Sequence, residues 1–406
     1  MSRLYMAAAL IWALALQGAA AQGFSGLARI DTKTSQVRDA GEGASVELGL
    51  SQGVPYRLFT LDSPPRLVLD FQEVDWSGLK QDTLLQGSRI TAAQFGTYVP
   101  GWSRLVLQLA EPLQVASAAM SVDPVTAAAR LSLSLSPVDA EDFAAAAGAP
   151  QDARWDLPAP APLKPHAPRD GDAPVRVVLD PGHGGIDPGA ETGGVVEKDL
   201  MLQFAKELAE VLLRSGQFEV QLTRDGDYFV SLERRIALAH QAGADLFISL
   251  HADTISEGRA HGSTVYTLSR EASDAASSKL AERHMRADLL SGTDLTGADD
   301  EVTGVLLDLA RQETHPRSRG LARALIDGLR GQGRPVNNRP LRSAGFSVLK
   351  SADIPSVLLE IGFLSSRRDL GNLTDPAWRA EAARGILSGL IAWRAQDDAR
   401  RALLRK

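Results

Sequence analysis

The apolar residues of this chain keep two different periods, one on each side of a proline-rich break, and no single layer of secondary structure accommodates both. Before the break they alternate: Val46, Leu48 and Leu50, then Leu67, Leu69 and Phe71, then Leu105, Leu107 and Leu109, then Leu131, Leu133 and Leu135. Residues two apart along an extended chain share a face, so each run predicts a half-buried strand. Turn sequences at Gly53-Val54-Pro55, Pro64-Pro65 and Pro100-Gly101 separate the runs. Residues 24–140 therefore read as a small all-β sandwich of short antiparallel strands. Residues 141–174 are rich in Ala and Pro, and Pro150, Pro158, Pro160, Pro162, Pro165, Pro168 and Pro174 block helix and sheet alike, which marks a linker. At ~3.1 Å per residue the stretch from Gln151 to Pro174 reaches about 75 Å, so the flanking domains need not touch.

After Val175 the pattern changes. Arg176-Val177-Val178-Leu179-Asp180 reads as a fully buried strand, and Leu200, Phe204, Leu208, Val211 and Leu212 then recur at helical spacing. Extended and helical segments alternate onward: Glu219 to Leu222, the helix Leu232 to Gln241, Leu246 to Leu250, Thr264 to Leu268, Val357 to Leu359, and a closing helix around Ala380 to Ala395. Residues 175–396 are thus expected to form an α/β domain, a mostly parallel twisted sheet flanked by helices. Ligands of such sheets collect at the carboxyl ends of the strands.

Composition removes several functions. Lys+Arg 43 against Asp+Glu 50 gives a net charge of -7 with no long basic run, so nucleic acid is not an expected partner. The absence of Cys excludes disulfides, thiolate nucleophiles and Cys-type metal sites, leaving His and carboxylates to hold any metal. Arg3, the apolar run Met6 to Leu16 and Ala19-Ala20-Ala21 before Gln22 have the layout of a cleaved secretory signal over residues 1–21. The run falls short of the ~20 residues that cross a bilayer, so no membrane span is expected after cleavage. The address this implies is the periplasm.

Three residues at strand and helix ends carry the chemistry. The loop Pro181-Gly182-His183-Gly184-Gly185-Ile186-Asp187-Pro188-Gly189 follows the first of these strands. A dinucleotide-binding fingerprint fails there, because Asp187 stands where the third glycine belongs and Pro188 follows it. Glu197 opens a helix, where the N-terminal dipole favours a carboxylate. His251 directly follows the strand Leu246 to Leu250. Each alone has an ordinary structural reading. Together His183, Glu197 and His251 match the ligation of a catalytic Zn2+ with one position left open. Glu360 ends the apolar strand Val357-Leu358-Leu359; beside an attacking water it could accept the proton and return it to a leaving amine. The remaining histidines read as non-ligands: His166 lies in the linker, His240 on a helix, His284 and His315 in polar helical stretches expected to be solvated, and His261 beside a strand. Arg224 and Arg235 are expected to pair with Asp225, Asp227 or Asp245, or else to contact acidic peptide stems.

At these residues the chain resembles the zinc-dependent N-acetylmuramoyl-L-alanine amidases of type 3. The resemblance rests on Asp180-Pro181-Gly182-His183-Gly184-Gly185 with Asp187-Pro188-Gly189-Ala190, Glu197-Lys198-Asp199, Leu222-Thr223-Arg224, Ser231-Leu232 with Arg235, Ala244 to Asp253, and Glu360-Ile361-Gly362-Phe363-Leu364-Ser365. It implies zinc on His183, Glu197 and His251, Glu360 as the catalytic carboxylate, and hydrolysis of the bond between N-acetylmuramic acid and L-alanine in peptidoglycan, for wall remodelling and daughter-cell separation. Many members carry Asn in place of Asp253 and of Ser366. Through Pro64-Pro65-Arg66-Leu67-Val68-Leu69-Asp70-Phe71 the N-terminal part resembles an AMIN domain, which implies peptidoglycan binding and placement at the division septum. A helical insertion over 273–331 carries Val302, Val305, Leu306 and Leu309 as an apolar stripe, a core-packing pattern. It also resembles the regulatory helix of division-associated amidases, which implies autoinhibition relieved by a LytM-like activator, with Glu301 as a candidate cap on the metal. Two other readings stay open: a zinc peptidase or carboxypeptidase acting on stem peptides, since the same residues would serve, and a non-catalytic wall-binding scaffold.

Overall fold

The computed structural model of the chain describes residues 27–72, 74–150, 173–255, 260–269, 271–291, 304–351 and 353–404. The alternating runs are strands, joined by others whose apolar pattern is weaker: β1 (Ala28–Ala40), β2 (Gly43–Leu50), β3 (Tyr56–Leu61), β4 (Arg66–Gln72), β5 (Val74–Asp75), β6 (Leu85–Gln86), β7 (Ile90–Val99), β8 (Trp102–Leu109), β9 (Leu113–Val122) and β10 (Ala129–Pro137). One sheet has the order β5-β1-β2-β10-β9, with β6 also on β1, and the other, β3-β4-β8-β7, is antiparallel throughout. Val46, Leu48, Leu131 and Leu133 meet Leu67, Leu69, Leu105 and Leu107 in the core between them. Burial of each such side chain contributes ~1.5–3 kcal/mol, and this holds the sandwich together.

A short helix, α1 (Gln81–Leu84), caps one edge, and α2 (Ala140–Ala146) follows β10. The second helix lies inside the segment expected to be linker. Phe143 is 2 % exposed and belongs to the sandwich core, so the folded unit extends past residue 141. A single aromatic among alanines was enough to dock about two helical turns, and composition alone hides it.

The second domain contains β11 (Val175–Pro181), the hairpin β12 (Glu191–Thr192) and β13 (Val195–Val196), β14 (Phe218–Leu222), β15 (Leu246–His251), β16 (Ser263–Leu268), β17 (Val336–Ala344) and β18 (Ser356–Glu360). Its helices are α3 (Glu197–Arg214), α4 (Leu232–Gln241), α5 (Ala275–Ser291), α6 (Gly304–Gly331), α7 (Arg367–Thr374) and α8 (Pro376–Leu404). The sheet order is β14-β11-β15-β18-β16-β17, with β14, β11, β15 and β18 mutually parallel and β16 antiparallel to β18. Leu179, Ile248 and Leu359 face α3, α6 and α8, while Val178, Phe247 and Leu358 face α4 and α5. Both faces are covered, which is why these strands are unbroken apolar runs rather than alternating ones. The edge strand β17 carries Asn337, Asn338, Arg339 and Pro340. Edge strands tolerate such residues, and no hydrophobic period announced it.

Among the described residues the insertion holds α5 and α6. Glu301 and Val302 lie outside the described residues, so the metal cap expected at Glu301 has no position here. Among the described residues no helix is long and apolar enough to cross a membrane. Although the linker would let the domains stand apart, they touch: Ile186 N donates to Thr97 O at 3.1 Å and Phe229 N to Tyr98 O at 3.0 Å.

Candidate metal centre

Three parallel strands deliver the site at their carboxyl ends. β11 runs into the His183 loop, β15 ends on His251, and β18 ends on Glu360, which stands opposite His251 in the ladder. Glu197 reaches them from the side, because the β12–β13 hairpin turns the chain into α3. The four residues named from the sequence therefore converge.

The loop is held from beneath. Asp180, 1 % exposed, accepts from Thr223 Oγ1 at 2.5 Å, Arg235 Nη1 at 2.6 Å and Ser249 Oγ at 2.7 Å. Burial opposes its ionisation, but Arg235 and the two hydroxyls outweigh that and hold the carboxyl below the usual carboxylate range. Arg235 also donates to the carbonyls of Val230, Pro181 and His183. Arg224 donates to those of Pro181, Gly182, Lys198 and Gly226. Neither arginine takes the partners expected of it. Arg235 pairs with Asp180, Arg224 serves backbone oxygens, and Asp245 instead pairs with Arg176. A guanidinium has five donors in a rigid fork, so each can fasten several carbonyls of a loop without regular hydrogen bonding of its own.

His183 sits at φ +60, and its ring is oriented by Asp187, whose Oδ2 lies 2.8 Å from Nδ1. That contact assigns the proton to Nδ1 and leaves Nε2 free to bind, 3.3 Å from Glu197 Oε2. Glu197 is fully buried; its carboxylate accepts from Ala190 N and Ala252 N, each at 2.9 Å, and lies 3.1 Å from His251 Nδ1. A Cβ on Gly189, φ +69, would come within 2.6 Å of the His183 ring and 2.7 Å of Glu197 Oε2, so only glycine fits there. Glu360, also fully buried, accepts from Asp253 N at 3.0 Å through Oε2.

Charge is unevenly placed. Burial opposes protonation of His183, but Asp187 and Glu197 outweigh it and raise His183 well above its ordinary value. Burial, with His284 next to it, lowers His251 to about 4. Burial likewise opposes ionisation of Glu197, yet the two imidazoles hold it well below the carboxylate range. Glu360 goes the other way: burial first, then the charges of Glu197 and Asp253, push it well above that range. Two carboxyl groups in one site are thus driven in opposite directions, Glu197 towards the ionised form and Glu360 towards a higher proton affinity.

A fifth residue completes the cluster. His284 is 5 % exposed, not solvated as its polar neighbours suggested. Its Nε2 lies 3.6 Å from Asp253 Oδ2 and 3.9 Å from Glu360 Oε1, and its ring centroid is 4.2 Å from that of His251. Ligand atoms of His183, His251 and His284 all lie within 4.8 Å of one another. A periodic signal for it exists in the sequence: Ser277, Leu280, Ala281 and His284 form a buried stripe at i, i+3, i+4 and i+7 of α5. The other described histidines lie elsewhere: His240 approaches Ser351 and Asp353, His261 is exposed, and His315 is half-buried.

The donor set fits a divalent metal. His183 Nε2, His284 Nε2 and Glu360 Oε1 are buried atoms without a hydrogen-bond partner, and all three belong to this cluster. Such atoms are costly unless something binds them. Nitrogen and carboxylate donors without thiolates suit zinc.

Comparison with known proteins agrees with this geometry. Residues 177–392 match the N-acetylmuramoyl-L-alanine amidase family Amidase_3, and residues 35–135 match the AMIN domain. The chain is 31 % identical over 358 residues to N-acetylmuramoyl-L-alanine amidase AmiC of Escherichia coli O6:H1, covering 83 % of each. It is 32 % identical over 354 residues to AmiC of Neisseria meningitidis serogroup B, covering 82 % of this chain and 83 % of that one. It is 39 % identical over 232 residues to AmiA of Escherichia coli K12, covering 57 % of this chain and 79 % of that one. With the fold, the strand-end cluster and the matched domains in agreement, the chain belongs to the N-acetylmuramoyl-L-alanine amidases and is an AmiC-like member that carries an AMIN domain.

Proposed function

We propose that this peptidoglycan amidase works with a zinc ion held by His183, Glu197 and His251, and that Glu360 carries the proton. The bond it cleaves joins the lactyl carbonyl of N-acetylmuramic acid to the amine of L-alanine in the stem peptide. The observation that supports this most directly is the pair of buried, unpartnered atoms His183 Nε2 and Glu360 Oε1 in one cluster with Glu197 and His251. When bound, zinc supplies Lewis acidity for the scissile carbonyl and for water.

The protein groups have separate tasks. Asp187 fixes the His183 tautomer, and Ala190 N and Ala252 N fix the Glu197 carboxylate. Asp253 N holds Glu360 Oε2, which leaves Oε1 to take a proton from the attacking water and return it to the nitrogen as the C–N bond breaks. Its raised proton affinity, caused by burial, matches that double task.

The insertion has a regulatory role in this reading. His284 projects from its first helix to the ligand atoms, where an incoming carbonyl needs space. Moving α5, on binding of a LytM-like activator, would free that space; Glu301 stays a candidate second cap. Residues 1–21 act as an export signal to the periplasm, and the AMIN domain targets the enzyme to the wall at the division septum.

Digestion of purified peptidoglycan by the full chain, with and without a chelator, tests the activity. Intact stem peptides freed from glycan, in a metal-dependent manner, are the expected products. Shortened stems still attached to glycan would identify a peptidase instead. Deleting Ala298 to Gln312 should raise basal turnover; a folded, zinc-loaded but inert product would refute autoinhibition.

A further inference from the structure

The sheet β3-β4-β8-β7 has part of its second face covered, whereas an antiparallel sheet of a small sandwich ordinarily turns that face to water. Phe59, Leu61, Val68 and Val106 form an apolar patch on it, and Ile186 and Phe229 of the catalytic domain close that patch. Tyr98 stacks on Phe229 with ring centroids 5.7 Å apart, and Arg104, held by Asp70, lies 3.6 Å over the Tyr98 ring. Gly185 makes the approach possible: at φ +58, a Cβ there would fall 1.8 Å from Thr97 O. The AMIN domain is therefore seated on the very loop that carries His183.

Beyond the docked patch the same sheet face continues as one wall of a cleft of about 440 Å³ that reaches His183 and His284. The ladder sets Ala92 opposite Gln108 and Gln94 opposite Val106, so both glutamines emerge on this face, on neighbouring strands. They line the cleft, are exposed, and have no side-chain hydrogen bond to any described residue. Arg66 beside them directs its guanidinium to the carbonyls of Pro64 and Asp62. The facing wall is ionic, with Asp253 and Arg283 paired at 2.9 Å next to the histidines. One wall thus offers two amides and methyl groups beside a single guanidinium that is turned to backbone carbonyls, and the other offers an ion pair and imidazoles.

The substrate has the same two halves, an acidic stem peptide and an uncharged, hydroxyl- and acetamido-bearing sugar chain. We propose that the AMIN sheet face is the glycan-binding wall of the catalytic cleft, with Gln94 and Gln108 hydrogen-bonding the sugars that flank the muramoyl residue bearing the scissile bond. This rests on the amidase reading above. An amide side chain both donates and accepts, which suits hydroxyl and acetamido partners, and Ala92 and Val106 leave room for a sugar ring between the two. The cleft is then built by both domains, and the AMIN domain contributes to substrate positioning as well as to attachment.

The test uses the full-length zinc-loaded protein and peptide-free glycan oligosaccharides of alternating N-acetylglucosamine and N-acetylmuramic acid, which hold no scissile bond. By isothermal titration calorimetry, the double variant Gln94→Ala/Gln108→Ala should bind these about fivefold more weakly or worse, the factor expected for one lost net hydrogen bond. Melting temperature and zinc content should not change. KM for glycan-bearing muropeptides should rise with kcat unchanged, while turnover of a single-sugar muramoyl peptide stays as in wild type. Equal glycan affinity in the two proteins, or equal losses on both substrates, would overturn the proposal. Glutamine-dependent glycan binding by a chain that cleaves no muramoyl–alanine bond would instead refute the activity and leave the glycan wall standing.

Discussion

Replacing Arg235 by Leu tests how the fold holds its loop. The side chain is 2 % exposed and places four hydrogen bonds: to Val230 O at 2.9 Å, Asp180 Oδ1 at 2.6 Å, Pro181 O at 2.9 Å and His183 O at 2.8 Å. Its loss leaves Asp180 buried with only the hydroxyls of Thr223 and Ser249 as partners. Removing one member of a buried ion pair costs ~3–5 kcal/mol, because the other charge stays uncompensated. At ~2–4 °C per kcal/mol for a domain of this size, the melting temperature should fall by about 6–20 °C. The loop suffers as well. Once the His183 carbonyl loses its donor, nothing among the described contacts replaces it at φ +60, and zinc affinity should fall ~10–100-fold, as for other supports of a ligating histidine. Calorimetry of the metal-free protein measures the first effect, and zinc competition against a chromophoric chelator measures the second. Arg235→Lys keeps the charge but loses the fork, so stability should recover in part while zinc affinity stays low. A Leu variant within about 1 kcal/mol of wild type, with unchanged zinc affinity, would refute this account of the loop.

Other perturbations follow from the same contacts. Glu360→Gln should keep zinc and lose turnover; full activity in a zinc-loaded variant would remove Glu360 from the chemistry. The same variant carries a sign test in the metal-free chain. A carboxyl whose proton affinity is raised by folding destabilises the native state as pH rises above its unfolded value of ~4.3, so Glu360→Gln should gain stability over wild type above that pH and match it below, as urea unfolding across pH will show. Gly185→Ala should force the domains apart through its clash with Thr97 O, read as a larger radius of gyration in small-angle scattering; an unchanged radius would contradict the docking. His284→Ala should raise basal hydrolysis and lower zinc retention together, and a change in neither would make this histidine a bystander.

Much of the architecture could be read locally. Alternation at Leu67-Leu69-Phe71 and Leu105-Leu107-Leu109 reports a sheet with one face in a core, and the unbroken runs ending at Asp180, Leu250 and Leu359 report strands covered on both sides. His183, His251 and Glu360 follow such runs directly, so the rule that ligands gather at the carboxyl ends of parallel strands was enough to group them. Glu197 could be added because a helix start favours a carboxylate. These inferences need only the period of a segment and its end.

The rest depends on distances that no local period contains. His284 lies 33 residues beyond His251 on a helix rich in charge, and its burial follows from the packing of α5 against Phe346 rather than from its neighbours in sequence. Arg224 and Arg235 have acidic neighbours in the chain, yet the carbonyls they hold belong mainly to a strand-end loop some forty to fifty-five positions away. The seating of one domain on the other required Tyr98 and Phe229 to meet across a linker long enough to keep them apart. In each case, local order follows from the alternation of a few consecutive side chains, whereas these contacts arise only when whole elements choose their packing angles to fill a shared core.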